Sequence, residues 1–223
     1  MSHRYRIFAT AALTPAALVL LLSLPAPGRA DPTPGQRDDF QDASTRDWQG
    51  HAPSLQVVAD GGPGGDGDAW LRVESSGLDG AGGRLVSFSR QGRWTGDYPG
   101  AGVAAVRLMA RNLGQSTAVL RLGLSPDGSR GGDWRVSARG VELPPGGPWQ
   151  EVVFPVDDAA LAQVSGDSEF DTAMSSVLQI RFLVNDSLDY RGGLRAHVIG
   201  LDDIEALDAE GLQRVFGDGF EGV

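Results

Sequence analysis

The chain has 223 residues, a formal net charge of −10 at pH 7 and no cysteine. The missing thiols exclude disulfides, thiolate metal sites and cysteine catalysis. All 19 basic residues are arginine, so no lysine can serve as base or Schiff-base former, and the acidic balance repels nucleic acid and anionic membrane surfaces.

The chain opens on a basic start, Arg4 and Arg6, followed by an apolar run from Ile7 to Leu24 and by Ala26-Pro27-Gly28-Arg29-Ala30. This is the pattern of a cleavable secretory signal over residues 1–30. The competing reading is a retained anchor. Thr10, Thr14, Pro15 and Ser23 interrupt the run, which sits near the lower limit for spanning, about 17–25 residues. Cleavage after Ala30 is the better reading, and no later segment is apolar enough to span. The expected location is secreted, periplasmic or extracellular. Cleavage removes Arg4, Arg6 and Arg29, taking 19 basic residues to 16 against 29 acidic, a net of −13. The remaining length suits one domain, about 100–200 residues, and can bury a core without disulfides.

Residues 31–37 read as a Pro/Gly linker, 38–207 as the folded domain and 208–223 as a polar tail. Phe40 and Trp48 are core candidates set among polar residues. Leu55–Val58, Ala69–Val73 and Leu85–Phe88 read as strands. Val106-Leu108-Ala110 and Ala118-Leu120-Leu122-Leu124 alternate around the break Asn112-Leu113-Gly114, which predicts a central hairpin. Strands follow at 134–139, 149–156, 178–184 and 197–207, with helical turns expected over 157–164 and 171–176. Nine or ten short strands between turn signals, and no helix long enough for a crossover, predict an all-β fold, an antiparallel β-sandwich of the jelly-roll type.

Several motifs fail on their chemistry. Gly61–Asp66 fits half of a calcium-binding nonapeptide, but Asp68 replaces the apolar residue and stacked copies are absent. Glu169-Phe170-Asp171 starts a glycosidase-type strand motif, yet Met174 stands where the second carboxylate of the pair must be. Gln179-Ile180-Arg181 has Arg where alginate-lyase-type jelly rolls carry His. After signal cleavage His51 and His197 are the histidines left, and neither sits near a strained Ser elbow. No catalytic residues are assigned.

Binding chemistry is better represented. Trp94-Thr95-Gly96-Asp97-Tyr98 puts two aromatics in an irregular loop, where their faces suit sugar rings and Asp97 accepts hydroxyls. Arg107, Arg111, Arg121, Arg135, Arg139 and Arg181 each lie opposite apolar neighbours on a strand, so adjacent strands would form a row of guanidinium forks. The alternative is a solvated face pairing with Asp, worth little per pair. Where first and last strands meet, Asp39, Gln41, Asp42 and Asp202 offer the oxygens that Ca2+ requires.

The frame Phe40-Gln41-Asp42…Trp48 and Leu201-Asp202-Asp203-Ile204 resembles galactose-binding-like jelly rolls, which include many carbohydrate-binding modules. The inner block, Gly65–Leu71, Arg84-Leu85-Val86 and Trp94–Tyr98 with Ala101-Gly102-Val103, resembles secreted bacterial proteins of unassigned function. The resemblance implies a structural Ca2+ joining the termini of the sandwich, with Gln41 in place of the usual Glu. The leading expectation is a non-catalytic module binding a polysaccharide or cell-surface glycan through Trp94, Asp97, Tyr98, Arg107, Arg121 and Arg135. The alternatives are a structural or protein-interaction domain of the cell surface or matrix, and a polysaccharide hydrolase or lyase. The oligomeric state is left open.

Overall fold

The computed structural model describes residues 31–50, 55–90 and 92–217; the expected signal segment and His51 lie outside them, as does the tail beyond Gly217. Twelve strands run in chain order. They are β1 (Arg37–Asp38), β2 (Leu55–Val58), β3 (Trp70–Ser76), β4 (Val86–Ser89), β5 (Ala105–Asn112) and β6 (Ala118–Ser125), then β7 (Trp134–Ser137), β8 (Val141–Leu143), β9 (Gln150–Pro155), β10 (Leu161–Ser165), β11 (Gln179–Val184) and β12 (Ala196–Leu207). Two helices join them, α1 (Phe170–Met174) and α2 (Ala209–Gly217).

The strands form two antiparallel sheets packed face to face. The first sheet has the order β2-β3-β12-β5-β9, with β1 also on β12. The second has the order β10-β7-β6-β11-β4, with β8 also on β6. The fold is the expected β-sandwich. Alternation explains which residues face inward: Val106, Leu108 and Ala110 from β5 meet Leu120, Leu122 and Leu124 from β6 in one buried cluster. Burial of such side chains is worth roughly 1.5–3 kcal/mol each. Among the described residues no helix is long and apolar enough to cross a membrane.

The predicted hairpin is not one. β5 lies in the first sheet and β6 in the second, so residues 113–117 carry the chain across the sandwich. Asn112 holds the crossing. Its Nδ2 donates to the carbonyls of Ser116 (2.8 Å) and Leu143 (2.9 Å), and its Oδ1 accepts from Gly114 N (2.8 Å). Facing apolar sets satisfy a hairpin or a crossing equally, so alternation alone cannot choose between them. The helical turns expected over 157–164 are also displaced, because Leu161–Ser165 pairs with β7 as an edge strand.

Chain beginning and end lie side by side: Arg37 pairs with Glu205 and Asp38 with Ile204. Asp38 is 1% exposed. Its Oδ2 accepts the indole N–H groups of Trp48 (2.9 Å) and Trp94 (2.6 Å), and Arg93 pairs with its other oxygen. Residues 31–37 are bound into this corner, with Gly35 N donating to Ala206 O (2.8 Å) and Asp31 Oδ1 accepting from Asp97 N (2.9 Å). The tail begins as helix α2, where Asp208 Oδ1 accepts from Gly211 N (2.7 Å).

Candidate ligand-binding site

The aromatic loop does not present a platform. Trp94 and Tyr98 are both 0% exposed and belong to the main core cluster. The Trp94 indole is spent on Asp38, and the Tyr98 hydroxyl donates to Trp94 O (3.0 Å). Burial pushes the Tyr98 phenol far above its ordinary range. Asp97 closes its own turn by accepting from Gly100 N (2.8 Å). An aromatic loop without periodicity gives no sign of which way its rings point; here the buried Asp38 carboxylate holds Trp94 inward, and the Trp94 carbonyl holds Tyr98.

The arginine row divides between the sheets. Arg107, on β5 of the first sheet, pairs with Glu151 (3.4 Å) and with Glu205. Arg121, on β6 of the second, is 7% exposed and donates to the carbonyls of Asn185 (3.0 Å), Ser137 (2.8 Å), Ala138 (3.1 Å) and Asp186 (3.4 Å). Burial lowers its pKa. Arg135 is buried on β7, bonded to Asp158 (3.1 Å) and Ser168 O (2.8 Å), with its guanidinium 5.2 Å from the Phe170 ring centre. These three arginines clasp loops and neighbouring acids, so they do not gather into one face.

A different set does gather, on the outer face of the second sheet. Cross-strand pairing places Phe88 beside Arg181, and Arg181 beside Gly123. The adjoining positions Leu122, Phe182 and Ser87 face the core. Pairing of β4 with β11, closed by the chain at Arg191-Gly192, leaves a cavity of about 350 Å3. Its lining includes Arg84, Phe88, Arg90, Gln179, Arg181 and Arg191, and no carboxylate.

Each of these side chains is held. Arg84 donates to Gly192 O. Arg90 donates through Nε to Gln179 Oε1 (2.9 Å) and through Nη2 to Gly128 O (2.9 Å). Arg181 donates to Tyr190 O (2.8 Å), and its Cζ sits 3.6 Å from the centre of the Trp134 ring. Trp134 in turn stacks on Tyr190 at 5.3 Å. Gly123 makes room for this arrangement, since a Cβ there would lie 3.1 Å from Arg181 Cγ. Burial first, and the neighbouring Arg90 second, pull the Arg181 pKa down to about 9. Such a shift marks a buried cation short of an anion. Two donors have no partner: Arg181 Nε and Gln179 Nε2.

At the strand junction, the four expected calcium ligands do not act together. Asp39 and Asp42 turn to Arg46 at 3.6 and 3.3 Å, because a guanidinium is the nearest partner for two exposed acids. Gln41 Nε2 lies against Asp68 Oδ1 (2.6 Å) and the carbonyls of Asp39 (3.1 Å) and Ala69 (3.3 Å). Asp202 is 0% exposed. Its Oδ1 accepts from Asp203 N (2.7 Å), while Oδ2 is buried without a partner. Burial is the main cause lifting its pKa to about 8, with the charges of Asp203 and Asp68 adding to it. Among the described residues no three acidic or histidine side chains converge as a metal site. Asp68 Oδ1 and the carbonyls of Asp39 and Ala69 gather around the Gln41 amide nitrogen, and with that amide turned over its Oε1 would join them and Asp202 in a donor set suited to a hard cation. In the sequence Asp68 stood out only as the residue that breaks a calcium-binding nonapeptide.

No protein family matches the chain, and no curated protein does. Solved structures do. A family 11 carbohydrate-binding module from Clostridium thermocellum, in complex with a β-1,3-1,4-mixed-linked tetrasaccharide, superposes with a TM-score of 0.54 at 13% identity, over 79% of this chain and 97% of that one. The family 11 module of the cellulosomal cellulase Lic26A-Cel5E of the same organism gives 0.52 at 13% identity, over 79% and 96%. An exo-β-agarase gives 0.55 at 10% identity over 79% of this chain, which spans 25% of the agarase.

The fold is a jelly-roll β-sandwich, the architecture these modules share.

In this jelly roll the cavity opens on an outer sheet surface, and its residues come from three separate stretches: 84–90, 179–181 and 191–192. The alternation of Gln179 and Arg181 with Ile180 and Phe182 was the readable part, since it puts both polar residues on one face. Phe88, Arg84, Arg90 and Arg191 became neighbours of that pair only through the order of the strands. Trp134, read from its strand as core-facing, points outward under Arg181 and stays buried because the loop bearing Tyr190 covers it.

Proposed function

We propose that the protein is an exported, non-catalytic glycan-binding domain whose ligand occupies the cavity between β4 and β11. The observation that carries this reading is the pair of unpartnered buried donors, Arg181 Nε and Gln179 Nε2. They belong to a cavity that also offers the half-buried ring of Phe88. Buried polar groups are ordinarily satisfied, so two orphan donors buried on residues that line one cavity are the kind of groups an acceptor-rich ligand could serve. Sugars combine hydroxyl acceptors with an apolar ring face that stacks on aromatics. Carbohydrate-binding modules with this jelly-roll fold support the same reading.

The non-catalytic part rests on the lining itself. It contains no carboxylate, histidine or tyrosine to move a proton, and buried Met174 still stands where a glycosidase would need its second acid. Export rests on the leader pattern of residues 1–30. A glycan-array screen of the secreted chain and its Phe88→Ala variant tests the binding. Loss of array signal in the variant with an unchanged melting temperature supports the site. Silence of the wild type across a broad array would favour a protein-interaction domain. That second reading has its own observation in the exposed leucines Leu78 (71%), Leu188 (45%) and Leu194 (50%) on loops at one edge.

We also propose Ca2+ at Gln41, Asp68 and Asp202, with the carbonyls of Asp39 and Ala69 completing the set. The cation would neutralise a buried carboxylate and tie the chain start to β12. Addition of Ca2+ should raise the melting temperature by several degrees. Asp202→Asn should abolish that rise, and an equal rise in Asp202→Asn would remove the site from consideration.

A further inference from the structure

We propose that the cavity between β4 and β11 receives an oxyanion carried by a sugar, so that the ligand is an acidic polysaccharide. The inference rests on the glycan-binding reading and narrows it to one chemical class, polymers bearing carboxylate or sulfate ester groups.

Charge is the first argument. Arg84, Arg90, Arg181 and Arg191 surround one space, and among the described residues Asp189, on Arg191 at 3.0 Å, is the one carboxylate paired with any of them. The nearby Asp79 is turned onto Gly80 N (3.1 Å). Arg84, Arg90 and Arg181 donate to neutral carbonyl and amide acceptors, which satisfy donors but cancel no charge. In a protein with a net charge of −10, four cations around one space with a single paired carboxylate, Asp189, are a local arrangement and not a consequence of composition. A neutral ligand filling the cavity would desolvate those cations further, whereas an anion offsets the cost.

Geometry is the second argument. The Arg181 guanidinium is fixed by the Trp134 ring at 3.6 Å, by Tyr190 O and by the space that Gly123 leaves. Its Nε remains free on a plane that cannot turn away. Arg90 Nε needs an acceptor and takes Gln179 Oε1, which orients the amide so that Nε2 is the free donor. Two fixed donors beside a cationic fork match an oxyanion, whose several lone pairs accept from more than one group at once. The half-buried Phe88 then sits where it can meet the sugar carrying that group.

The test is binding of the full chain to polygalacturonate, to carrageenan and to neutral mixed-linked β-glucan, at low and high salt. At least one acidic polymer should bind, with affinity falling as salt rises, and the neutral glucan should bind at least tenfold more weakly. The acidic polymer retained at high salt identifies the substituent, carboxylate or sulfate. Arg181→Gln and Arg84→Gln should each weaken binding by roughly tenfold or more, the size of one charge-assisted contact, while Arg139→Gln, away from the cavity, should change nothing. Arg84 is partly exposed, so its variant keeps the test decisive should Arg181→Gln fail to fold. Equal losses in Arg84→Gln and Arg139→Gln would mean diffuse charge attraction and overturn the proposal. Tight neutral-glucan binding that Phe88→Ala removes and Arg84→Gln leaves intact would overturn the anionic inference and keep the glycan site. Silence toward every polymer would remove both.

Discussion

Replacing Asp38 by alanine is the sharpest trial of the claim that the aromatic loop is architecture. The change strands two indole donors, those of Trp48 and Trp94, in a core where both rings are 0–1% exposed. A buried donor left without a partner costs about 1–3 kcal/mol. The two together therefore remove about 2–6 kcal/mol, before the loss of the Arg93 contact, from a total that for a domain is about 5–15 kcal/mol. With a urea slope of about 2 kcal/mol/M, the midpoint should fall by about 1–3 M. Asp38→Asn keeps one acceptor oxygen and should lose roughly half as much. The assay is urea unfolding followed by tryptophan fluorescence, since both affected residues are among the five tryptophans that report. A midpoint within about 0.3 M of wild type for Asp38→Ala would refute the reasoning, because Trp94 would then be free to serve a ligand.

Other perturbations read other parts of the sandwich. A Cβ at Gly200 would lie 2.6 Å from Trp149 Cη2 and 3.1 Å from Trp70 Cε3, so Gly200→Ala should cost about 1–3 kcal/mol by overpacking; in a Trp149→Ala background the same change should cost far less, a coupling that a double-mutant cycle measures. Asn112→Ala removes three bonds at the crossing between the sheets and should lower stability by about 2–4 kcal/mol, seen as a lower urea midpoint. His197 is buried, and burial chiefly, with Arg195 next, lowers its pKa. A histidine kept neutral by folding contributes stability that is complete above its unfolded pKa of about 6.5 and is lost as pH falls through and below that value. Melting temperatures should therefore drop between pH 7.5 and 5.5 more in wild type than in His197→Gln, and equal drops would discount the burial effect.

The inward residues were legible because period-two alternation is a local property of a strand. Val106, Leu108, Leu120, Leu122, Ile180 and Phe182 all fell where alternation put them. The meeting of chain start and end was legible for a different reason, since Phe40–Asp42 and Leu201–Ile204 beside it resemble the opening and closing frame of a known jelly roll; Arg37, which makes the pairing with Asp38, read as linker. Sheet membership was not legible. A five-residue connection between two apolar faces can reverse within a sheet or cross to the other, and Asn112 decides for crossing through bonds to Ser116 and to Leu143, some thirty residues downstream.

The same physics explains why the expected arginine row does not form. A row of guanidinium groups requires that the strands bearing them be neighbours, and β5 lies in the other sheet. An outward position on a strand does not make an arginine available: Arg121 spends its donors on four carbonyls, whereas Arg181, one strand away, keeps Nε free. Both arginines are hemmed in, but Arg121 is closed over by the 185–186 carbonyls while Arg181 looks onto the gap between β4 and the chain at 191–192. What separates Arg121 from Arg181 is thus the inventory of donors left over once every nearby carbonyl has been served. That inventory depends on loops meeting strands across a hundred residues of sequence, so it belongs to the fold and to no stretch of the chain.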